Sequence, residues 1–206
     1  MLSEPIDIRA ADPEDLGRLA DAFDDEPESL FAEQVICQGN GGGLLALACS
    51  RGRPVGHVYL RLAEAEEEDL RRHLPGVPVL SQLRVHRAYR NARIGTALID
   101  HVEDAAIAAG RTHIALGVSL DNQDARRLYL RLGYLEWDHG IVETRTVTIK
   151  EGREVCMLEK CEIMVKDLRA HIFDHDHCSC FLTPRAPAIR AIWSRGSSNQ
   201  ASRLPL

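Results

Sequence analysis

The sequence has no long apolar run, no dense set of cysteines and no excess of basic residues. No stretch approaches the roughly 18 consecutive apolar residues needed to cross a bilayer, and residues 1–5 lack the basic-then-apolar layout of a secretory signal. We therefore expect a cytoplasmic protein that does not enter the membrane. The six cysteines are scattered through 206 residues, which in a reducing compartment is typical of free thiols, so no disulfide is expected.

Charge and composition narrow the class of protein further. The net charge of −6 disfavours a nucleic-acid-binding domain and weakly favours cationic partners such as amines. With 45% hydrophobic and 27% charged residues, the chain resembles an ordinary globular protein, not a disordered or fibrous one. The length fits one domain with a tail.

Helices are marked by apolar residues at helical spacing and by their end signals. Asp12 followed by Pro13 predicts the start of the first helix. A later, longer helix is predicted to end at Gly110, and the last helix at Gly133. The four predicted helices cover residues 12–24, 29–38, 94–109 and 125–132.

Short β-prone apolar runs predict the strands. Turn residues at 50–54 separate two such runs and favour an antiparallel hairpin. Pro78 indicates an edge-like or bulged start of the next strand. The charged segment 63–76 is interpreted as a surface excursion with one helical turn around Leu70. The predicted strands cover residues 6–10, 44–49, 55–62, 77–85, 114–118, 134–142 and 155–166.

These elements alternate in an order that predicts an α+β fold. One strand is followed by two helices, three strands, a helix, a strand, a helix and two closing strands. Such an order favours a mixed, largely antiparallel sheet flanked by helices.

The strongest sequence signal for a functional site lies between the strand that ends at Val85 and the helix that follows it. Free amides at a helix N-terminus and the helix dipole both favour an anion. Arg87, Arg90 and Arg93 add guanidinium groups that can hold phosphate, and Gly95 lets the backbone come close to a ligand. On these residues alone, a solvated basic turn is an equally good interpretation.

The run 83–99 resembles the acyl-CoA-binding motif of GNAT N-acetyltransferases, Gln/Arg-x-x-Gly-x-Gly/Ala, with Arg90 first and Gly95 last. Arg93 stands where that family usually has its first glycine. A left-handed conformation there would cost about 1–2 kcal/mol, although the guanidinium could contact a phosphate instead. The resemblance implies that backbone amides cradle the CoA pyrophosphate, namely those of Arg90, Asn91, Ala92, Arg93, Ile94, Gly95 and Thr96.

A second motif lies at the last predicted helix. It resembles the family pattern Asn-x-x-Ala-x-x-Leu-Tyr-x-x-x-Gly-Tyr/Phe. With both motifs, the chain is identified as a member of the GNAT superfamily over about residues 6–168, and the predicted order of elements is that family's order. The matching residues are Asn122, Ala125, Leu128, Tyr129 and Gly133.

The resemblance implies an N-acetyltransferase that moves an acetyl group directly from acetyl-CoA to a neutral primary amine. The backbone of Leu83, Arg84 and Val85 would hold the pantetheine arm and polarise the thioester, and Asn122 would hydrogen-bond that arm. Tyr129 would protonate the departing thiolate. Tyr129 also lies on the apolar stripe of its helix, so plain core packing is the alternative.

No residue stands out as the general base that an alkylammonium acceptor needs. Many GNAT enzymes carry a glutamate on the fourth strand, but residues 77–85 contain only Ser81 and Gln82 as polar, uncharged candidates. His57 is a further candidate, or else an ordinary strand histidine. The remaining candidates are glutamates that are otherwise solvated charges: Glu33, Glu66, Glu67 and Glu68.

The composition changes after Leu168. Residues 177–206 contain four arginines and no acidic residue, with frequent Ser, Pro and Gly, which is typical of a flexible, mildly basic tail. We therefore expect an acyltransferase domain at 1–168 and a tail at 169–206. The tail begins with a cluster whose spacing matches none of the usual zinc pairs in full, so no metal is assigned to it. The cluster consists of His171, His175, His177, Cys178 and Cys180.

Several functional alternatives stay open. The acceptor is a small cationic metabolite or antibiotic, or else a protein amine at an N-terminus or lysine. A non-catalytic acyl-CoA sensor is the main alternative to an enzyme, because Arg93 replaces a glycine and the fourth strand has no carboxylate. An adaptor that uses the tail to bind a metal or a partner is the third. Many members of the family pair as dimers, so a homodimer is one expectation.

Overall fold

The computed structural model of the chain describes residues 5–169. A seven-stranded sheet runs through it in the order β1-β2-β3-β4-β5-β7-β6. Neighbouring strands are antiparallel except for the parallel pair β4 and β5, which confirms the mixed, largely antiparallel sheet. The strands are β1 Ile6–Ala10, β2 Gly43–Ser50, β3 Arg53–Arg61, β4 Val79–Val85, β5 His113–Ser119, β6 Leu135–Lys150 and β7 Arg153–Asp167.

The predicted helices are present, and their end signals act as expected. Asp12 and Asp15 form a capping box around a short 3₁₀ turn that leads into the first helix. Gly110 and Gly133 follow the two later helices with φ of 73° and 87°, a conformation that costs glycine little. The helices are α1 Leu16–Ala22, α2 Glu28–Gly39, α3 Glu68–His73, α4 Ile94–Ala108 and α5 Gln123–Arg131.

The two faces of the sheet are covered by different helices. On one face α4 and α5 pack on the central strands, with Leu98 and Leu116 in a common core. On the other face α1 and α2 cover β1 to β3, where Phe31 is fully buried. The segment with α3 covers β5 to β7 through the buried Leu70, so the charged excursion is tied to the sheet.

The interpretation of Pro78 as the sign of an edge-like or bulged strand start was wrong. Pro78 precedes β4, which is an interior strand paired with both β3 and β5. The Pro78 carbonyl accepts a hydrogen bond from the Ala115 amide at 3.0 Å. Because proline lacks only a donor, it is tolerated where its carbonyl alone takes part in the ladder.

The irregularity of β4 lies in its middle instead. Opposite β3, Ser81 faces Tyr59 and Arg84 faces His57, so one extra residue is inserted into β4 between these pairs. Gln82 adopts a left-handed φ of 54° at this bulge. Bulges of this kind redirect side chains and end pairing, and they are common beside active sites.

The closing hairpin is longer than predicted. The sequence pattern predicted strands ending at Val142 and resuming at Val155, but β6 continues to Lys150 and the turn occupies only Glu151 and Gly152. Residues 143–150 alternate threonine with charged and apolar residues. This edge segment buries no face, so it lacks the alternating apolar pattern from which a strand is predicted.

The long hairpin reaches back to the segment between α1 and α2. The amide of Ile149 and the hydroxyl of Thr148 donate to the Asp25 carbonyl at 2.8 and 2.9 Å. The Ser29 hydroxyl donates to a Glu154 oxygen at 2.8 Å. These contacts tie the tip of the hairpin to the segment between α1 and α2 and to the start of α2.

A buried ion pair joins α4 to the end of the sheet. Lys166 Nζ lies 2.6 Å from Glu103 Oε2, and the Tyr134 hydroxyl donates to Glu103 Oε1 at 2.8 Å. The side chains of Glu103 and Lys166 are only 5% and 11% exposed. Because the carboxylate has lost most of its water, its partners are needed to offset the cost of burial.

We expect Lys166→Met to lower the free energy of unfolding by about 3–5 kcal/mol, because it leaves the Glu103 charge buried. The control is Arg72→Met, which breaks the exposed Arg72–Glu68 pair and should cost less than about 1 kcal/mol. Urea denaturation followed by circular dichroism measures both. Equal losses of unfolding free energy in the two variants would show that the buried Glu103 pair contributes no more than the exposed pair.

Candidate active site

The sheet opens between β4 and β5. The two strands pair only at Val79 with Ala115 and at Leu80 with Leu116. Beyond Leu80 and the bulge, the described strands show no further pairing on this side of β4. The backbone of residues 83–85 therefore faces an opening in which an extended chain could add to β4, as predicted for the pantetheine arm.

The turn after β4 leads into α4 through two left-handed residues. Arg93 is the residue that precedes α4 and has φ of 61° and ψ of 12°, and Asn91 has φ of 62°. Asparagine tolerates this region, but arginine does so only at the anticipated cost of about 1–2 kcal/mol. The sequence thus places a non-glycine residue where the backbone favours glycine.

The amides predicted to cradle a pyrophosphate surround the start of α4. Among the described residues, the amides of residues 91–96 donate no hydrogen bond. The Arg90 amide differs, because it donates to the Arg87 carbonyl at 3.5 Å. Six free donors and the positive end of a helix dipole make this turn a site for an anion.

The three arginines of this turn remain exposed. Within residues 5–169, Arg87, Arg90 and Arg93 form no ion pair. Arg90 Nε donates to the Val85 carbonyl at 3.3 Å, so its side chain lies against the end of β4. Guanidinium groups so placed add positive charge beside the free amides.

Gly95 lies in the first turn of α4, next to the open edge of β4. A Cβ built there would be 3.8 Å from Val85 Cγ2 and 3.9 Å from Leu83 Cδ2, which is ordinary van der Waals contact. The fold itself therefore leaves room for a larger residue. The small size of Gly95 keeps space free on the side of the opening.

Asn122 precedes α5 on the opposite side of the opening. Its Oδ1 accepts a hydrogen bond from the Ala125 amide at 3.1 Å, which caps the helix. The side chain is exposed, and its Nδ2 group donates to no other residue of the described chain. Capping fixes the amide, and the free Nδ2 can donate to a ligand.

Tyr129 lies in the core next to Tyr134. It is 6% exposed and its ring meets Tyr134 edge-on at 5.5 Å, so it packs in the core. Its hydroxyl nevertheless bonds to no described residue. Burial raises the pKa of the phenol above its usual value, which keeps it protonated at neutral pH.

On the α1/α2 face of β4, the structure adds two carboxylates that the sequence did not point to. Asp25 Oδ1 and Oδ2 accept from Arg84 Nη2 at 2.8 and 2.9 Å. Glu26 is 7% exposed, and its Oε2 lies 2.7 Å from His57 Nε2. In the sequence these two residues are part of an acidic stretch that matches no motif. Their partners on β3 and β4 are more than 30 residues away, so the sequence could not reveal the contacts.

The base candidates named from the sequence fall into different environments. His57 is fully buried, and Gln82 is hydrogen-bonded to the buried Gln34. Glu66 and Glu68 pair with surface arginines. The glutamates with exposed side chains are Glu33, Glu66 and Glu68, while Glu67 is partly covered.

Residues 5–169 contain no group of three or more His, Cys, Asp or Glu placed to hold a metal ion. The His/Cys cluster predicted in the tail lies outside that range. Within the same range, no helix is both long enough and apolar enough to cross a membrane.

The parting of β4 from β5 and the free amides at the start of α4 form the arrangement that the two sequence motifs predict for an acetyltransferase. A family model described as the acetyltransferase (GNAT) family matches residues 8–134. The chain therefore belongs to the GNAT family of acetyltransferases, as its two motifs predicted. No curated protein matches the chain.

Solved structures share this fold at low sequence identity. The PaiA N-acetyltransferase of Thermoplasma acidophilum in complex with coenzyme A is 17% identical, with a TM-score of 0.58 over 79% of this chain and 99% of that one. The ribosomal-protein-S18-alanine N-acetyltransferase of Escherichia coli is 20% identical, with a TM-score of 0.57 over 80% and 94%. The acetyltransferase yncA of Salmonella typhimurium, solved with its cofactor acetyl-CoA, is 18% identical, with a TM-score of 0.57 over 79% and 94%.

Proposed function

We propose that the protein moves an acetyl group directly from acetyl-CoA to a primary amine. The observation that carries this proposal is the parting of β4 from β5 directly beside the free amides at the start of α4. A linear donor with an anionic end and an amide-containing arm matches both features. Coenzyme A and acetyl-CoA are bound in two of the three solved structures named above, which supports the same donor here.

In this proposal, different residues bind different parts of the acetyl-CoA donor. The amides of residues 91–96, with Arg87, Arg90 and Arg93, hold the pyrophosphate. The open backbone of residues 83–85 pairs with the pantetheine arm and polarises the thioester carbonyl.

Asn122 and Tyr129 act from the α5 side of the opening. Asn122 Nδ2 donates to a carbonyl of the pantetheine arm. Tyr129 gives its proton to the departing thiolate, whose parent thiol has a reference pKa of about 8.5. A phenol with a raised pKa holds its proton until the thiolate forms beside it, and both groups then share the same poorly solvated surroundings.

The acceptor is assigned only as an amine, either a small cationic molecule or a protein amine. Asp25 and Glu26 place two carboxylates on the α1/α2 side of β4 against the single guanidinium of Arg84, which leaves a net negative charge that suits a cation. The transferase is assigned to residues 1–168, with 169–206 as a tail, and the sheet that ends at Asp167 supports this division. Cytoplasmic location and a homodimer stay predictions from the sequence.

A sensor that binds acyl-CoA without turnover is the second candidate, because Arg93 holds a left-handed position and β4 carries no carboxylate. Calorimetric titration with acetyl-CoA, followed by a turnover assay, separates the two. The assay uses spermidine, a peptide with a free N-terminal alanine, and an end-blocked peptide with one lysine. Micromolar binding with turnover supports the enzyme, binding without turnover supports the sensor, and no binding contradicts both.

We expect Gly95→Ala to weaken acetyl-CoA binding at least about tenfold, since the added methyl group takes space on the ligand side of the opening. Unfolding stability should not fall, because alanine favours a helix over glycine and fits the gap at Gly95. Gly17→Ala is the matched control, as no atom lies within 4 Å of its added Cβ. Calorimetry and thermal unfolding measure both variants, and unchanged binding in Gly95→Ala would contradict the cradle.

Arg93→Gln and Arg93→Gly separate the charge of Arg93 from its backbone conformation. We expect both variants to raise the acetyl-CoA Kd about tenfold, because both remove a charge-assisted contact to phosphate. Arg93→Gly should not lose stability, since it relieves the left-handed strain. Arg72→Gln on the distant α3 is the control for loss of one positive charge. Tighter binding by Arg93→Gly would show instead that the side chain obstructs the site.

Tyr129→Phe should lower kcat about a hundredfold while leaving the acetyl-CoA Kd unchanged, because it removes only the proton donor. Stability should stay the same, since the hydroxyl bonds to no described residue. Tyr134→Phe makes the matched control, because it removes a core hydroxyl bonded to Glu103 and should affect stability but not kcat. An unchanged kcat in Tyr129→Phe would leave Tyr129 as a core residue alone.

A further inference from the structure

We infer that Glu26 is the general base that takes a proton from the acceptor amine, and that His57 and Arg84 position it. This inference rests on the proposed acetyl transfer and deepens it. Glu26 belongs to the segment between α1 and α2, outside both sequence motifs. It supplies the carboxylate that β4 lacks.

The two oxygens of Glu26 have different surroundings. Oε2 lies 2.7 Å from His57 Nε2. Oε1 lies 3.9 Å from Arg84 Nη1 and accepts no hydrogen bond from the described residues. One oxygen is therefore held in place, and the other is left to accept a proton.

His57 can only orient the carboxylate. The ring is fully buried and meets the rings of Phe23 and Phe31 edge-on at 4.5 and 5.3 Å. Its Nδ1 is buried without a hydrogen-bond partner. A charged ring would bury a second N–H donor with no acceptor, so the neutral ring donates its Nε2–H to Glu26 and keeps Nδ1 as a bare acceptor.

Arg84 places the two carboxylates at the opening. Its backbone lies in the part of β4 that has left β5, and its side chain points to the α1/α2 face, where it holds Asp25. The Asp25 carbonyl is in turn fixed by Thr148 of the long hairpin. Glu26 is thereby held over the open stretch of β4, where the thioester of the donor is expected.

A buried amide on the same face points to a ligand. Gln34 of α2 is 5% exposed and hydrogen-bonds to Gln82, the left-handed residue of the bulge. Its Oε1 has no partner and is buried. An unpaired buried acceptor is costly, and an N–H of the incoming amine would satisfy it. Gln34 in the middle of α2 and Glu26 just before that helix would then contact the same amine.

The proton balance of the step is complete. An ammonium acceptor gives one proton to Glu26 Oε1, and Glu26 later releases it to water. The neutral nitrogen forms a bond to the thioester carbon, and the bond from that carbon to sulfur breaks. The thiolate takes the proton of Tyr129, and the second proton lost by the nitrogen returns to Tyr129 to leave a neutral amide and a free thiol.

Glu26→Gln tests the inference, because glutamine keeps the size of the side chain and a hydrogen bond to His57. With the amine of the panel that wild type acetylates fastest, kcat should fall about 10²- to 10⁴-fold, and the acetyl-CoA Kd should stay unchanged. The control is Glu28→Gln, an exposed carboxylate two residues away, which should keep the wild-type rate. A Glu26→Gln rate within threefold of the control would overturn the inference.

The pH profile separates a base from a merely structural carboxylate. The groups that face Glu26 are Asp25, His57 and Arg84, and Glu26→Gln leaves all three in place. The deficit of Glu26→Gln should shrink as pH rises, because a larger fraction of the amine is already neutral. A deficit that stays constant with pH would assign Glu26 a structural role and overturn the inference.

His57→Phe tests the positioning role separately. It preserves ring packing against Phe23 and Phe31 but removes the Nε2–H donor, so kcat should fall with the acetyl-CoA Kd kept. His57→Gln, which retains a donor, should recover part of the loss; no recovery would contradict the hydrogen bond as the cause. If wild type binds acetyl-CoA but acetylates none of the three amines, the proposed transfer fails first, and the role of Glu26 with it.

Discussion

The pairing between β4 and β5 lasts for two residue pairs, and the rest of the site depends on its ending there. A sheet whose strands stay paired has no free backbone donors in its interior, so it offers nothing to an extended ligand. The extra residue at Gln82 turns β4 away from β5 and leaves its last residues unpaired on one side. After the bulge, neighbouring side chains point to opposite faces as in any strand: Leu83 toward α4 and Arg84 toward the segment between α1 and α2.

Packing and hydrogen bonds on both faces of the sheet stabilise the elements around the opening. On the α4 side, Leu98 and Ile99 are fully buried, and Glu103, Lys166 and Tyr134 tie the helix to the end of the sheet. On the other side, the β6–β7 hairpin fixes the Asp25 carbonyl. Buried networks on both faces hold the elements around the opening in place, which lowers the cost of ordering them when a ligand binds.

The sequence predicted most of the fold, because helix ends and strand runs rest on local signals. The donor side of the site stays a prediction made from the two motifs. The sequence predicted a cost at Arg93 if that residue were left-handed, and the structure gives it a φ of 61°. Residues 143–150 were missed as strand because their threonines alternate with both charged and apolar residues and none of the eight is buried. Pro78 was misjudged because a proline in a β-prone run does not reveal whether its carbonyl alone joins the ladder.

By itself, the sequence determined the order of elements, the family, and the turn before α4 where an anion is favoured. Apolar periodicity, caps and motif residues act over a few positions, so they can be recognised in the chain. Only the tertiary structure decided where β4 leaves β5 and which carboxylates meet Arg84 and His57. Glu26 and His57 are separated by 31 residues and share no pattern. Their contact exists because the helices α1 and α2 fold onto one face of the sheet, and that packing is a property of the whole chain.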